Sequence, residues 1–170
     1  FVFIKQMFPQ AKFVFIHRHP LKTISSTLKA FQEIFRNKLP YMAALMKMYE
    51  KFYTNPLLRL PFQLVFLKIP ELGVMYITKT TATATKYYLK NISKLSQEDY
   101  VAITYEDFCA HPQRTIEDIM QKLRQRVPPT FDAATFVHPR VVEIDETVKK
   151  FHPYIRRTLK GYCEMFHYTI

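Results

Sequence analysis

Glycine is scarce in this chain: two in 170 residues, Gly73 and Gly161. A phosphate-cradling loop of the GxGxxG or GxxxxGK[ST] kind needs glycines a few residues apart, so the sequence holds no such loop. Cysteine is equally sparse, with Cys109 and Cys163 alone. Two distant thiols make no disulfide framework, and neither has a Cys-x-x-Cys neighbour. They predict two reduced, buried thiols and no zinc site. Tryptophan is absent, and the aromatic content is 15 Phe and 11 Tyr. A long uncharged apolar run is missing as well. The nearest approach, Leu57 to Ile77, contains Arg59, Lys68, Glu71, Pro61 and Pro70, whereas a membrane span wants about 20 apolar residues without such charges. It predicts a buried helix-loop-helix and no transmembrane segment.

Acidic residues are outnumbered: 14 Asp and Glu against 25 Lys and Arg leave a formal charge of +11. That excess suits anionic partners such as nucleotides, acidic glycans, nucleic acid or anionic membrane, with a merely solubilising surface as the plainer alternative. The length allows one domain with a real core, burying roughly 70% of its unfolded surface. Asn91-Ile92-Ser93 is a glycosylation triplet, which matters only in a secretory compartment.

The densest stretch is Phe8 to Ser26, FPQAKFVFIHRHPLKTISS. Phe13, Val14, Phe15 and Ile16 are apolar on both faces, as in a central parallel strand. Pro20 suits the first turn of a helix. Arg18 then stands at a strand's carboxyl end, where open α/β sheets bind ligands. A helix start adds free N–H groups, and Thr23, Ser25 and Ser26 add hydroxyls. This layout predicts a phosphate site. His17 and His19 project to one face and serve to line or support the turn rather than hold a metal.

Along the chain, a helix end at 1–8 precedes a strand at 12–17. A helix over 20–36 buries Leu21, Ile24, Leu28, Phe31 and Phe35 at spacings of three and four. Pro40 opens a second helix to about Tyr53, with Met42, Leu45, Met46 and Tyr49 as core filler. Thr78 to Asn91 reads as another helix, with Lys79, Lys86, Lys90 and Lys94 on a solvated face. Tyr100 to Thr104 is a second strand, and His111-Pro112 opens a helix to about Arg126, ended by Val127-Pro128-Pro129. Residues 141–168 read as mostly helical, broken or kinked at Pro153. Strands separated by long helical excursions give an α/β fold with a parallel sheet. Two strands are few for a sheet, so the expectation is a partial domain.

Arg18 followed eight residues later by Ser26, within FP-x-AKF-x-FI-x-R-x-P, resembles the 3'-phosphate segment of sulfotransferases that use PAPS (3'-phosphoadenosine 5'-phosphosulfate). His19 stands where members often carry an acidic residue. A second similarity is YVAITYEDF followed by His111-Pro112 and a helix. The resemblance puts Tyr105 near the adenine, while Glu106 and Asp107 take structural roles, capping backbone donors or pairing with a basic group. Arg140, in His138-Pro139-Arg140, reads as an exposed loop arginine.

The resemblance implies a P-loop-NTPase-like three-layer parallel sheet with flanking helices, incomplete at its N-terminal side. One partial domain would span 1–170: nucleotide-binding units at 8–36 and 99–126, a helical middle at 37–95 and a helical part at 141–168. It implies sulfuryl transfer from PAPS to a hydroxyl or amine of a small molecule, lipid or glycan. Arg18, Ser26 and Tyr105 would form the cofactor-binding side. The 5'-phosphosulfate loop and catalytic base are expected upstream, so the fragment alone would be inactive. The compartment stays open between cytoplasm and Golgi lumen. The competing expectation is a non-catalytic basic α/β module for nucleic acid or another polyanion.

Overall fold

Strand β1, Phe13–His17, and strand β2, Tyr100–Thr104, pair in parallel in the computed structural model, in register from Phe13↔Tyr100 to His17↔Thr104. The structure describes residues 1–39, 41–42, 47–126, 131–139 and 141–170. Pro40, Leu45, Met46, Val127, Pro128, Pro129 and Arg140, each given a reading from sequence, lie outside the described residues. The described chain is α/β, a small parallel pair with many helices, and falls into two compact units.

The first unit is Phe1–His19, Ala84–Val141 and Gly161–Thr169. Helix α1, Val2–Met7, leads through a turn into β1. Strand alternation sends Phe13 and Phe15 to one face, where Tyr88, Ile92 and Leu95 form a core with Phe1, Tyr100 and Phe166. Val101 and Ile103 of β2 face the other way and meet Ile119 and Leu123. On that face Val14 is 43% and Ile16 58% exposed. The expectation of a strand buried on both faces is therefore corrected: only the Phe13–Phe15 side is covered. Lys5 and Lys12 grip Asp99 at 2.9 and 3.0 Å, and the Asp99 carbonyl accepts the Phe13 N–H at 2.8 Å. These contacts tie the starts of both strands together. Hydrogen bonds from Lys5 and Lys12 hold the Asp99 carboxyl below its ordinary range.

β2 runs directly into a short helix, Tyr105–Ala110, and after a break at His111 the next helix spans Pro112–Lys122. It stops before the expected Arg126 because Leu123 turns into the core and Arg124 takes a left-handed φ of 56°. Asn91 of the glycosylation triplet is buried and donates to the Tyr87 carbonyl at 2.8 Å, so its amide points inward.

The second unit is Pro20–Thr83 and Val142–Lys160, with Ile170. Helix α2, Pro20–Arg36, buries Leu21, Ile24, Leu28 and Phe35 as its periodicity predicts. Phe66, Val74, Ile77, Val148, Ile155 and Leu159 are buried in the same unit. Helix α3, Lys47–Thr54, carries Tyr49, whose hydroxyl accepts the Leu39 N–H at 3.0 Å. Helix α4, Pro56–Gln63, is capped by Asn55, relaxes into a π-helical turn at Leu64–Lys68, and gives way at Ile69 to helix α5, Pro70–Asn91. Residues 70–83 of α5 count with this unit and 84–91 with the first. Thus the helix expected from Thr78 begins eight residues earlier.

The 57–77 segment is helix-break-helix, but it is not buried. Leu57 is 80% exposed, and Leu58, Leu60, Phe62, Leu64, Ile69, Leu72 and Tyr76 are also exposed. No single helix among the described residues is long and apolar enough to cross a membrane. The inward stripe of this segment is Gln63, which donates to the Phe35 carbonyl at 3.0 Å, then Phe66, Gly73, Val74 and Ile77. The expected helical end divides into Glu146–Lys150, His152–Thr158 and Lys160–Met165, with Pro153 in the first turn of the middle piece.

Candidate functional site

The strand register decides what meets at the carboxyl end of the sheet. His17 pairs with Thr104, so the next residues, Arg18 and Tyr105, emerge side by side. The Arg18 guanidinium lies over the Tyr105 ring, 4.3 Å from its centroid, a cation–π contact. The Arg18 Nε is buried and has no hydrogen-bond partner among the described residues. Two of the three residues expected to bind a cofactor are thus in contact within the first unit.

Ser26 lies on α2 in the second unit and is half-buried, as is Thr23. Ser25 differs from the expectation. It is fully buried, and its hydroxyl accepts the Asp145 N–H at 3.1 Å. Its role is to anchor the 145 turn, which removes it from the hydroxyls available to a ligand.

The backbone between β1 and α2 has neither ladder nor helix to satisfy it, and side chains do so instead. The Arg18 N–H donates to the Tyr162 hydroxyl at 3.3 Å, and that hydroxyl donates to the Arg18 carbonyl at 3.4 Å. The His19 N–H donates to Glu106 Oε1 at 3.2 Å, while Glu106 Oε2 accepts from the Tyr168 hydroxyl at 3.3 Å. His19 Nε2 is 3.2 Å from the Thr169 carbonyl oxygen. Burial pushes the Tyr162 phenol up to about 12. Burial first, and then the Glu106 charge, push the Tyr168 phenol up as well. Both remain protonated donors at neutral pH. None of these tyrosines was singled out in the sequence. The only available signal was the aromatic run Tyr162, Phe166 and Tyr168 near the chain end.

Thr104 and Asp107 make a reciprocal cap. Thr104 Oγ1 accepts the Asp107 N–H at 3.1 Å and donates to Asp107 Oδ2 at 2.5 Å. This cap turns the strand into helix at Tyr105 and sets where its ring begins. The Glu106 carboxylate therefore serves a backbone N–H, that of His19, while the Asp107 carboxylate takes the Thr104 hydroxyl.

His17 is 7% exposed, stacked on Phe166 at 3.8 Å and edge-on to Tyr88 at 4.6 Å. Its Nε2 has no hydrogen-bond partner among the described residues. Burial lowers its pKa to about 4, so it is neutral at physiological pH. It is an aromatic support for the turn. A separate concavity of about 250 Å³ against β2 is lined by Ala102, Thr104, Asp107, Thr115, Asp118 and Phe166, an acidic lining unsuited to an anion. Cys109 is half-buried, Cys163 is buried, and the two form no disulfide.

A guanidinium resting on an aromatic ring at a strand end can hold a phosphate beside a flat base. Residues 1–61 match the model of the sulfotransferase family, a span that contains β1, Arg18 and Ser26 but not Tyr105. No curated protein and no solved structure matches the chain.

Proposed function

We propose that this chain belongs to the sulfotransferase family, a reading supported by the match over residues 1–61, and that it carries the 3'-phosphate and adenine side of a PAPS site. The whole protein then transfers a sulfuryl group to a hydroxyl or amine acceptor. The observation that carries this reading is the Arg18–Tyr105 pair: a guanidinium resting on an aromatic ring at the carboxyl ends of two parallel strands. The fit with an anionic nucleotide rests on the same residues. Arg18 has a buried Nε without an acceptor, and a guanidinium matches phosphate oxygens two at a time.

PAPS, when bound, supplies an activated sulfuryl group. Arg18 holds the 3'-phosphate and neutralises its charge. Ser26, by its place in the family pattern eight residues after Arg18, gives that phosphate a neutral hydroxyl donor. Tyr105 offers the base an apolar face with a polar tip. The parallel pair with helices is read as the core of a P-loop-NTPase-like three-layer fold. None of these three residues is assigned the 5'-phosphosulfate contacts or the catalytic base.

The test is calorimetric titration with 3',5'-adenosine bisphosphate against 5'-AMP. The expected outcome is a clear preference for the bisphosphate that falls at least tenfold in Arg18→Ala, and less in Ser26→Ala. Equal affinity for the two nucleotides in folded protein would overturn the reading.

One observation favours a second reading, a basic module for polyanions. The second unit carries 14 Lys and Arg against six Asp and Glu, so most of the excess charge lies there. Tight, steeply salt-dependent binding of nucleic acid with no nucleotide preference would select it.

A further inference from the structure

We infer that the segment Gly161–Thr169 is a positioning device for Arg18, with Tyr162 as its principal contact and Glu106 relaying Tyr168. The inference rests on the donor-site reading and adds Tyr162 and Tyr168, which neither the family match nor any sequence motif assigns.

The turn at Arg18 and His19 lies between a strand end and a helix start. Its backbone groups would otherwise face water, and the turn would sample several conformations. One hydroxyl prevents this. Tyr162, 144 residues away in sequence, accepts from the N–H of Arg18 and donates to the carbonyl of the same residue. Because one oxygen contacts both peptide groups, rotation of either breaks a hydrogen bond. Fixing that backbone fixes the direction in which the Arg18 side chain leaves the strand end, over Tyr105.

Glu106 completes the bracket. A carboxylate beside a phosphate site repels the ligand unless its charge is engaged. Here one oxygen takes the His19 N–H and the other the Tyr168 hydroxyl. The His17 ring stacked on Phe166, and the edge contact of His19 with Tyr168 at 5.4 Å, seat the segment against the turn. The Tyr162 phenol must keep its proton to donate, and burial ensures that it does.

Two measurements on Tyr162→Phe test this. The first is amide hydrogen exchange by NMR. Exchange at Arg18 and His19 is expected to rise at least tenfold while Phe15 and Ile103, whose amides lie inside the ladder, stay as protected as before. The second is the pair of titrations above. Affinity for 3',5'-adenosine bisphosphate is expected to fall three- to tenfold with 5'-AMP affinity unchanged, a split that general destabilisation would not produce. Tyr168→Phe, at a half-buried position near the chain end, gives the same pattern more weakly and stands in if Tyr162→Phe does not fold. Tyr87→Phe, an exposed tyrosine elsewhere in the first unit, should change neither readout. Unaltered exchange at Arg18 and His19 overturns the positioning role whatever the ligand data say. A parent protein that cannot distinguish the bisphosphate from 5'-AMP overturns the donor reading instead, and exchange alone then decides the inference.

Discussion

At the scale of single residues, burial decides roles that residue type leaves open. His17 has the side chain most suited to proton transfer near neutral pH, yet its cage holds it neutral, with a pKa lowered from 6.5 to about 4. The unfolded chain takes up a proton as pH falls through 6.5, while the folded chain resists until about 4. The stabilising effect of the neutral ring is thus complete above pH 6.5 and is lost on acidification toward 4, amounting to about 3 kcal/mol at most. Urea denaturation at pH 7.5, 6 and 5 should show this loss, and His17→Leu should flatten it. An equal acid loss in His17→Leu would assign the effect to other groups. The Asp99 carboxylate, also held down, loses its contribution only below the ordinary carboxylate range, so the two windows separate. Arg18 and Tyr105 were legible as a pair because each directly follows a strand. Tyr162 was not, since nothing local marks a hydroxyl that serves a turn 144 residues away. The Ser25 hydroxyl was misread for a related reason: its partner, Asp145, lies 120 residues on.

At the scale of elements, the strands and α2 were readable because their apolar spacing is set by geometry alone. The strand Tyr100–Thr104 and the helix Pro20–Arg36 have the bounds that periodicity predicts. Where a boundary depends on a local backbone choice, the sequence was a weaker guide. The break expected at Pro153 is there, with the proline starting the next helical turn, but the helix after Pro112 ends at Lys122 rather than near Arg126. Thr104 sets one such boundary, and Thr104→Ala should lower stability by about 1 kcal/mol. It should also weaken any ligand contact made by Tyr105, measurable as a fall in 5'-AMP affinity. Gly73 sets another. A Cβ there would lie 2.9 Å from Phe66 Cδ1 and 3.2 Å from the Val65 carbonyl oxygen. In an ordinary helix Gly→Ala stabilises; at this contact we expect Gly73→Ala to cost about 1–2 kcal/mol in chemical denaturation. A stabilised variant would mean that Phe66 yields easily.

At the scale of the whole molecule, the composition announced an apolar middle but not which way it faces. Helical spacing cannot tell a core stripe from an outward one when both faces are apolar, and α4 is apolar nearly all round. Leu57, Leu60 and Leu64 face outward, a surface larger than water-facing helices usually carry. The isolated chain should therefore bind a hydrophobic dye and self-associate as its concentration rises. Replacing these three leucines with Lys should reduce both in fluorescence and light-scattering measurements, with little change in unfolding midpoint. The parallel pairing has a consequence of another kind, for the order in which the protein folds. Lys12 and Asp99, beside the first paired residues, are 87 positions apart. Closing a loop of that length costs about 4 kcal/mol of chain entropy before any rung of the ladder offsets it. Such distant contacts form late, so helices assemble first and the Arg18–Tyr105 contact is among the last features to appear. Because the chain has no native tryptophan, a single Trp in place of Tyr105 would report that moment alone, and its fluorescence should lag behind helical circular dichroism during refolding.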